Sequence, residues 1–315
     1  MKFSLIICSF NPEERILKRT LESCVNLTFE KNAFEILLVD NNSAKALANL
    51  PYINSLKNQH NNFICLSEPR QGLVHARLKG IREARAQTIV FVDDDNVLDK
   101  NYLTCLESLL NDHPQVGVWG PGIVNPFYID GAPDWIKKQF GYLYQEKELQ
   151  ETKFGCEASW PYYYPAGSGM VVKKVVLEKY IHDFENGLLT STGRKGQQLT
   201  SGEDSQIVWT AVKMNLSAGT SPSLKLQHII PAKRTSKEYL QKLNYGIGFS
   251  FYQSLTEMFP ETNQTLKKRT FKNRLGFLIR ILKSSRFNPF LFTKKIAIEG
   301  AWQKAYDDFI RSRDK

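Results

Sequence analysis

Four short apolar runs, at residues 3–8, 34–39, 63–66 and 88–92, recur through the first hundred residues of this chain. A strand with one wet face alternates apolar and polar residues. A continuous apolar run of this length is what a strand becomes when its sheet is covered on both sides. Between the runs lie helix-patterned segments: residues 12–27 place Ile16, Leu17, Leu21 and Val25 at helical spacing, and residues 73–86 form a second. The order βαβαβαβ predicts an α/β fold with a mostly parallel, doubly wound sheet. Three runs end in polar loops, Ser9-Phe10-Asn11, Asp40-Asn41-Asn42 and Asp93-Asp94-Asp95. Ligands of open α/β sheets bind at that carboxyl edge.

Beyond residue 115 the pattern loosens. Residues 116–119, 168–172 and 224–230 read as strands, and a helix starting near Ser201 carries Ile207, Val208, Val212 and Met214. Residues 120–164 are rich in Pro, Gly and aromatics, including Trp135, Phe140, Tyr142, Tyr144, Trp160, Tyr162, Tyr163 and Tyr164. From Lys237 the pattern is helical and basic. The expected division is a catalytic unit at 1–230, with halves at about 1–115 and 116–230, and a helical C-terminal extension at 231–315.

With 42% hydrophobic and 23% charged residues in 315, the chain can bury a core and is not of disordered composition. Five scattered cysteines (Cys8, Cys24, Cys65, Cys105, Cys156) lack CxxC spacing, so neither a zinc site nor a disulfide framework is expected. The opening apolar run is too short for a signal peptide, and no stretch approaches the ~20 apolar residues of a membrane span. A cytoplasmic protein with reduced thiols is expected. The net charge of +10 calls for an anionic partner. Its excess gathers late: Lys267, Lys268, Arg269, Lys272, Arg274, Arg280, Lys283 and Arg286 have no acid among them.

Asp93-Asp94-Asp95 closes a buried strand. Adjacent carboxylates repel, and grouping them is costly unless a cation or hydrogen-bond donors compensate. Alternation along an extended chain would point Asp93 and Asp95 one way and Asp94 the other. Hard oxygen ligands at that spacing suit Mg²⁺ or Mn²⁺, which would also hold a substrate diphosphate. The plainer alternative is a solvated turn before a helix.

Here the chain resembles the family 2 glycosyltransferases, whose GT-A fold carries an Asp-x-Asp motif after the fourth strand. SLIICSFNP at 4–12 is similar to the family's first strand and nucleotide loop, and EILLVDNNS at 35–43 to its second strand and turn. GLVHARLKGI at 72–81 resembles its Gly-x-x-x-Ala-Arg-Asn-x-Gly helix, with Leu78 where Asn is common, and SGEDSQIVWTA at 201–211 its Glu-Asp catalytic segment. The likeness covers about residues 3–230.

The resemblance implies roles. Ser9, Phe10 and Asn11 would line the base pocket, Asp40 would accept from the pyrimidine imide, and Arg77 would contact base or pyrophosphate. Asp93 would contact ribose, with Asp94 beside it on the nucleotide-sugar. Asp95, with Asp93 and the late His228, would hold Mn²⁺ or Mg²⁺, and Arg234 could reach phosphate. Asp204 would be the general base, with Glu203 as its catalytic neighbour; the alternative is a capping box with Ser201 as N-cap and Asp204 at N3. About 100° separates Glu203 from Asp204 around a helix, so only one is expected to face the cleft.

Taken alone, Arg77 could be a solvated helix residue and Asp40 an Asx-turn residue. PAGSGM at 165–170 and the aromatic stretch fall on the family's acceptor side, where aromatic faces stack on sugars and Gly167 and Gly169 permit close backbone approach. The aromatics could equally be core.

The activity so implied is metal-dependent, inverting transfer from a nucleotide-sugar to a glycan or lipid-linked acceptor. A UDP-sugar is favoured, with GDP- and dTDP-sugars open. Residues 264–286 place Phe271, Leu275, Leu278, Ile279 and Leu282 near helical spacing among basic residues. They form either an interfacial helix on the anionic inner face of the cell membrane or a helix packed on the domain. A nucleic-acid partner is not expected. The rival readings are a sugar-nucleotide nucleotidyltransferase, which would want a Gly-rich loop where Ser9-Phe10-Asn11-Pro12 stands, and a non-catalytic basic membrane- or polyanion-binding module.

Overall fold

A computed structural model describes residues 1–191, 193–194 and 199–314. Its first half follows the expected alternation: β1 (Phe3–Ser9), α1 (Glu14–Val25), β2 (Phe34–Asp40), α2 (Pro51–Gln59), β3 (Phe63–Ser67), α3 (Leu73–Glu83) and β4 (Thr88–Asp93). These strands pair in parallel in the order β3-β2-β1-β4. Alternate residues of β1 go to opposite faces. Leu5 and Ile7 pack with Leu17, Leu21 and Tyr102 on one side, and Ile6 packs with Ala76, Ile81 and Trp209 on the other. A strand sandwiched in this way has no wet face, hence a run that is apolar but for Ser4, whose hydroxyl donates to the buried Glu35 at 2.6 Å. Gly80 of α3 allows the close approach on one side, because a Cβ there would lie 2.6 Å from Ile6 Cγ2.

After β4 the chain makes β5 (Asn96–Leu98), α4 (Tyr102–Asp112), β6 (Val116–Tyr128), α5 (Asp134–Gln139), β7 (Lys147–Glu148), β8 (Lys153–Gly155), β9 (Val171–Lys173), α6 (Lys174–Glu185), α7 (Glu203–Lys213) and β10 (Ser217–Ile230). The sheet continues β4-β9-β6-β10-β5, with β7 beside β6 and β8 beside β10. The long β6–β10 pair is again parallel, while the short strands β5, β7, β8 and β9 pair antiparallel. The fold class is thus the expected α/β one.

Three local expectations need correcting. The strand expected at 116–119 does not end before Gly120, Pro121 and Gly122. Instead β6 runs through them, and a register shift between Ser221 and Lys225 of β10 absorbs the irregularity. The strand expected at 168–172 begins only at Val171, because Gly169 takes φ +67° and turns the chain there. The strand expected at 224–230 is the end of the longer β10.

The aromatic stretch is mostly core. Phe140 and Tyr144 pack with Ile230, Leu240 and Ile298, and Trp160 meets Tyr164, Trp209 and Phe251 edge-on, leaving Tyr142 and Tyr162 exposed. Three helices complete the described chain: α8 (Lys237–Met258), α9 (Phe271–Ser284) and α10 (Pro289–Arg313). The first packs on α7 and α10. All five cysteines are free thiols.

Candidate active site

The site begins where β4 stops. Its ladder to β1 ends at Asp93, opposite Cys8, and the next strand, β5, belongs to β10. Asp94 and Asp95 form the turn between two ladders, and the Asn96 side chain accepts a 3.3 Å bond from the Asp93 amide across it. The expected strand alternation therefore does not apply to this triplet. Its carboxylates part in three directions, each toward its own compensating group.

Asp94 accepts from the Ser9 hydroxyl at 2.5 Å. Burial and the neighbouring Asp95 push the Asp94 carboxyl up to about 6, against the pull of Ser9 and Arg234. Asp93 accepts from Ser168 Oγ at 2.8 Å and lies 3.8 Å from Arg77. Asp95 meets Asn96 Nδ2 at 3.1 Å, pairs with Arg234, and faces His228 Nε2 at 3.5 Å. Burial alone would raise the Asp95 carboxyl, but Arg234 and His228 outweigh it and hold it far below the ordinary carboxylate range.

His228 is positioned from both sides. The β10–β5 register sets it opposite Asn96, and its Nδ1 lies 2.9 Å from the Tyr144 carbonyl. A carbonyl can only accept, so Nδ1 carries the proton. In the neutral ring Nε2 then turns a lone pair toward the Asp95 carboxylate. A protonated ring donates from Nε2 to Asp95, which is how His228 helps to lower that carboxyl; a neutral ring and the carboxylate would both turn lone pairs to a shared cation, with the second ring nitrogen fixed by a backbone carbonyl as in metal-ligating histidines. The donor set fits a hard divalent cation, and such ions commonly take one or two protein ligands and complete the shell with water and phosphate. Asp93, expected in the same set, lies instead beside Arg77. Among the described residues no third Asp, Glu, His or Cys joins Asp95 and His228.

Arg77 ties the two halves of the site together. Only 5% exposed, it reaches Asp204 Oδ1 at 2.5 Å, Glu203 Oε1 at 3.3 Å and Asp93 Oδ1 at 3.8 Å, with its guanidinium 4.8 Å above the Phe91 ring. Burial would weaken its charge, but Asp204, Glu203 and Asp93 more than offset that and hold the guanidinium above its ordinary range. The expected contact of Arg77 was with base or pyrophosphate; its guanidinium lies among these acids. The solvated-helix alternative does not hold for it.

The Glu-Asp segment opens α7 without the capping box. The N-cap is Gly202 rather than Ser201, with no side-chain cap, and Asp204 stands at the second helical position. Glu203, 1% exposed, turns inward and accepts from the Gly202 amide at 3.0 Å. Burial and the neighbouring Asp204 raise its carboxyl. Asp204 is the more open of the two, its side chain 19% exposed. Gly167 makes room for it, since a Cβ there would sit 2.5 Å from Asp204 Oδ2. The close approach that PAGSGM permits is thus made by this aspartate. From α8, Ser250 Oγ accepts from the Ser201 amide at 3.2 Å and Ser254 Oγ donates to the Gly202 carbonyl at 3.1 Å.

At the nucleotide-side edge, Asp40 accepts from the amides of Ser43 (3.0 Å) and Leu47 (2.9 Å), the turn role weighed for it. Asn11, at φ +46°, accepts from the Ala44 amide at 2.8 Å, which locks the first two loops together. Phe10 stays exposed. Ser168 and the Tyr144 carbonyl escaped sequence reasoning. Only the glycines around Ser168 marked its loop, and a backbone carbonyl carries no side-chain signal.

The sequence model described as glycosyl transferase family 2 matches residues 4–180. The chain is similar to polypeptide N-acetylgalactosaminyltransferase 4 of Caenorhabditis elegans, 31% identical over 120 residues that make up 36% of this chain and 19% of that one. It is also similar to poly(ribitol-phosphate) beta-N-acetylglucosaminyltransferase TarS of Staphylococcus aureus, 26% identical over 142 residues, 42% of this chain and 24% of that one. It thus spans about a quarter or less of the length of these relatives. Among solved structures, S. aureus TarS 1–349 in complex with UDP aligns over 100% of this chain and 91% of that one, with TM-score 0.51 and 16% identity. Mannosyltransferase PcManGT from Pyrobaculum calidifontis, in complex with GDP-Man and Mn2+, aligns over 99% and 88% with TM-score 0.61 and 13% identity. At these identities the structural likeness speaks for the fold.

Proposed function

Since this chain belongs to glycosyl transferase family 2 and carries the GT-A fold, we propose that it transfers a sugar from a nucleotide-sugar, a UDP-sugar first, to a hydroxyl of a glycan or lipid-linked acceptor. Residues 1–230 are assigned the catalysis, and 231–315 form an extension. The observation that carries the reading is the facing pair of Asp95 and His228, with His228 Nδ1 held by the Tyr144 carbonyl. The UDP bound to TarS and the GDP-Man and Mn2+ bound to PcManGT support a nucleotide-sugar donor and a divalent ion.

Asp95 and His228 would hold the Mn²⁺ or Mg²⁺ ion. Bound there, the ion supplies positive charge against the diphosphate that departs. Arg234, paired with Asp95, adds a second positive charge at the same edge. Ser9, Phe10, Asn11 and Asp40 border the nucleotide, and Asp93 and Asp94 its ribose and phosphates.

Asp204 takes the proton of the acceptor hydroxyl as that oxygen bonds to the anomeric carbon and the carbon–phosphate oxygen bond breaks. Arg77 holds one oxygen of its carboxylate, and the lack of a side chain at Gly167 leaves room for the group. Attack from the face opposite the leaving group inverts the anomeric centre.

The test is donor hydrolysis over a panel of UDP-, GDP- and dTDP-sugars with and without Mn²⁺. Metal-dependent turnover of one donor, lost in Asp95→Asn, is expected. No turnover of any donor by folded protein, together with no calorimetric binding of nucleoside diphosphate plus Mn²⁺, would refute the reading.

A further inference from the structure

The helix α9 faces two ways. Phe277 and the buried Ile281 turn toward the body of the protein, where α10 lies. Phe271, Leu275, Leu278, Ile279 and Leu282 all stay exposed, Phe271 at 80%. At 100° per residue these five fall within a stripe about 100° wide, as on helices that bury an apolar face. Immediately after the helix, Arg286 and Phe287 take φ +51° and +60°, a region L residues rarely adopt, and the turn leaves Phe287 70% exposed with Phe290 beyond it. A contiguous exposed apolar surface of this kind marks a contact.

The charge around the stripe selects the occupant. No acid occurs between residues 262 and 298. Four cations of the region reach acids elsewhere: Lys268 with Asp314, Arg269 and Arg274 with Asp307, and Arg280 with Glu299. Lys267, Lys272, Lys283 and Arg286 have no acid partner among the described residues, and Lys272 and Lys283 lie along one border of the stripe. A second copy of this chain would bring two such basic borders together, which like charges oppose. No helix among the described residues is long and apolar enough to cross a membrane.

We propose that α9 and the turn after it seat this protein on an anionic lipid bilayer, the helix lying in the plane of the interface. Its apolar stripe sits among the acyl chains, and Lys272, Lys283 and Arg286 lie at the headgroups. This goes beyond the transferase reading and does not depend on it, since none of these side chains belongs to the catalytic machinery.

The experiment is flotation of the full chain with phosphatidylcholine vesicles, with and without phosphatidylglycerol, at low and high salt. Binding is expected only to the anionic vesicles and is expected to fall with salt. Lys272→Gln with Lys283→Gln should lower the partition coefficient about twenty-fivefold, near fivefold per cation. Leu275→Gln with Ile279→Gln should lower it at least about tenfold. All four positions are exposed, so far-ultraviolet circular dichroism and donor hydrolysis in free solution should match the parent. Should one double variant fail to fold, the other carries the test.

Absence of binding, or equal binding to both vesicle types, overturns the proposal. So does full binding by the Leu275→Gln, Ile279→Gln variant, which would mean adsorption by charge alone. A dimer in light scattering that this variant abolishes would assign the stripe to a second copy instead. Loss of donor hydrolysis in the parent would bear on the transferase reading alone.

Discussion

Arg77 is the residue whose removal tests the site's electrostatics most directly. It is the cation to which Asp93, Glu203 and Asp204 all turn, and its own side chain is only 6% exposed. In Arg77→Met the methionine keeps much of the aliphatic volume beside Phe91 but leaves Glu203 and Asp204 uncompensated. Breaking a buried ion pair by removing one partner costs about 3–5 kcal/mol. At about 2–4 °C per kcal/mol for a large domain, the midpoint of thermal unfolding should fall by about 6–20 °C at pH 8.

The pH dependence has a definite sign. Burial, followed by the neighbouring Asp204, already raises the Glu203 carboxyl in the parent, and loss of Arg77 raises it further. An acid with a raised folded-state pKa is destabilising once pH exceeds its unfolded value, because the unfolded chain ionises more readily. The deficit of Arg77→Met should therefore shrink as pH falls from 8 toward 5, read by scanning calorimetry at each pH. A deficit under about 2 °C at pH 8, or one independent of pH, would mean that the acids are satisfied without Arg77. Arg77→Lys should recover part of the stability, since one ammonium replaces the charge but not the fork that reaches three carboxylates.

Asp204→Asn should leave donor affinity unchanged in calorimetry and cut transfer by about 10²–10⁴, the usual contribution of a general base; transfer at the parent rate would remove Asp204 from that role. His228→Ala should weaken Mn²⁺ binding by about tenfold or more while keeping the parent fold, measured by titration in the presence of nucleoside diphosphate. Gly167→Ala puts a methyl 2.5 Å from Asp204 Oδ2, so it should cost about 1–3 kcal/mol and depress kcat for transfer more than donor binding. Ser168→Ala removes one donor to Asp93 and should lower stability by about 1 kcal/mol, read from chemical denaturation.

What could be read from the sequence was what burial imprints on it. Residues 3–8 are apolar at all but Ser4, which is buried against Glu35, because neighbours press on both faces of β1; that pressure falls on every position, so a run of letters records it. Residues 34–39 and 88–92 carry the same mark at all but Glu35 and Thr88, and the mostly parallel sheet was legible from it, whereas the strand order β3-β2-β1-β4 was not. Tertiary contacts that rest on single pairs leave no such trace. Arg77 and Asp204 stand 127 positions apart, and nothing local to either announces the other. For the same reason a helix-end role for Asp204 was a fair competitor until Gly202 proved to be the cap. Likewise Trp160 and Tyr144 have the composition of a sugar platform, but their neighbours make them core.

The misjudged direction of the aspartates has a definite location. Alternation belongs to a ladder, and the ladder with β1 ends at Asp93 while the ladder with β10 starts at Asn96. The two residues between belong to neither, so they are free to turn toward Ser9 on one side and His228 on the other. A carboxylate motif at a sheet's edge is therefore better read as a turn whose members each seek a partner. On that reading the side chains to look for are Ser9 on β1, His228 on β10 and Ser168 in the turn before β9.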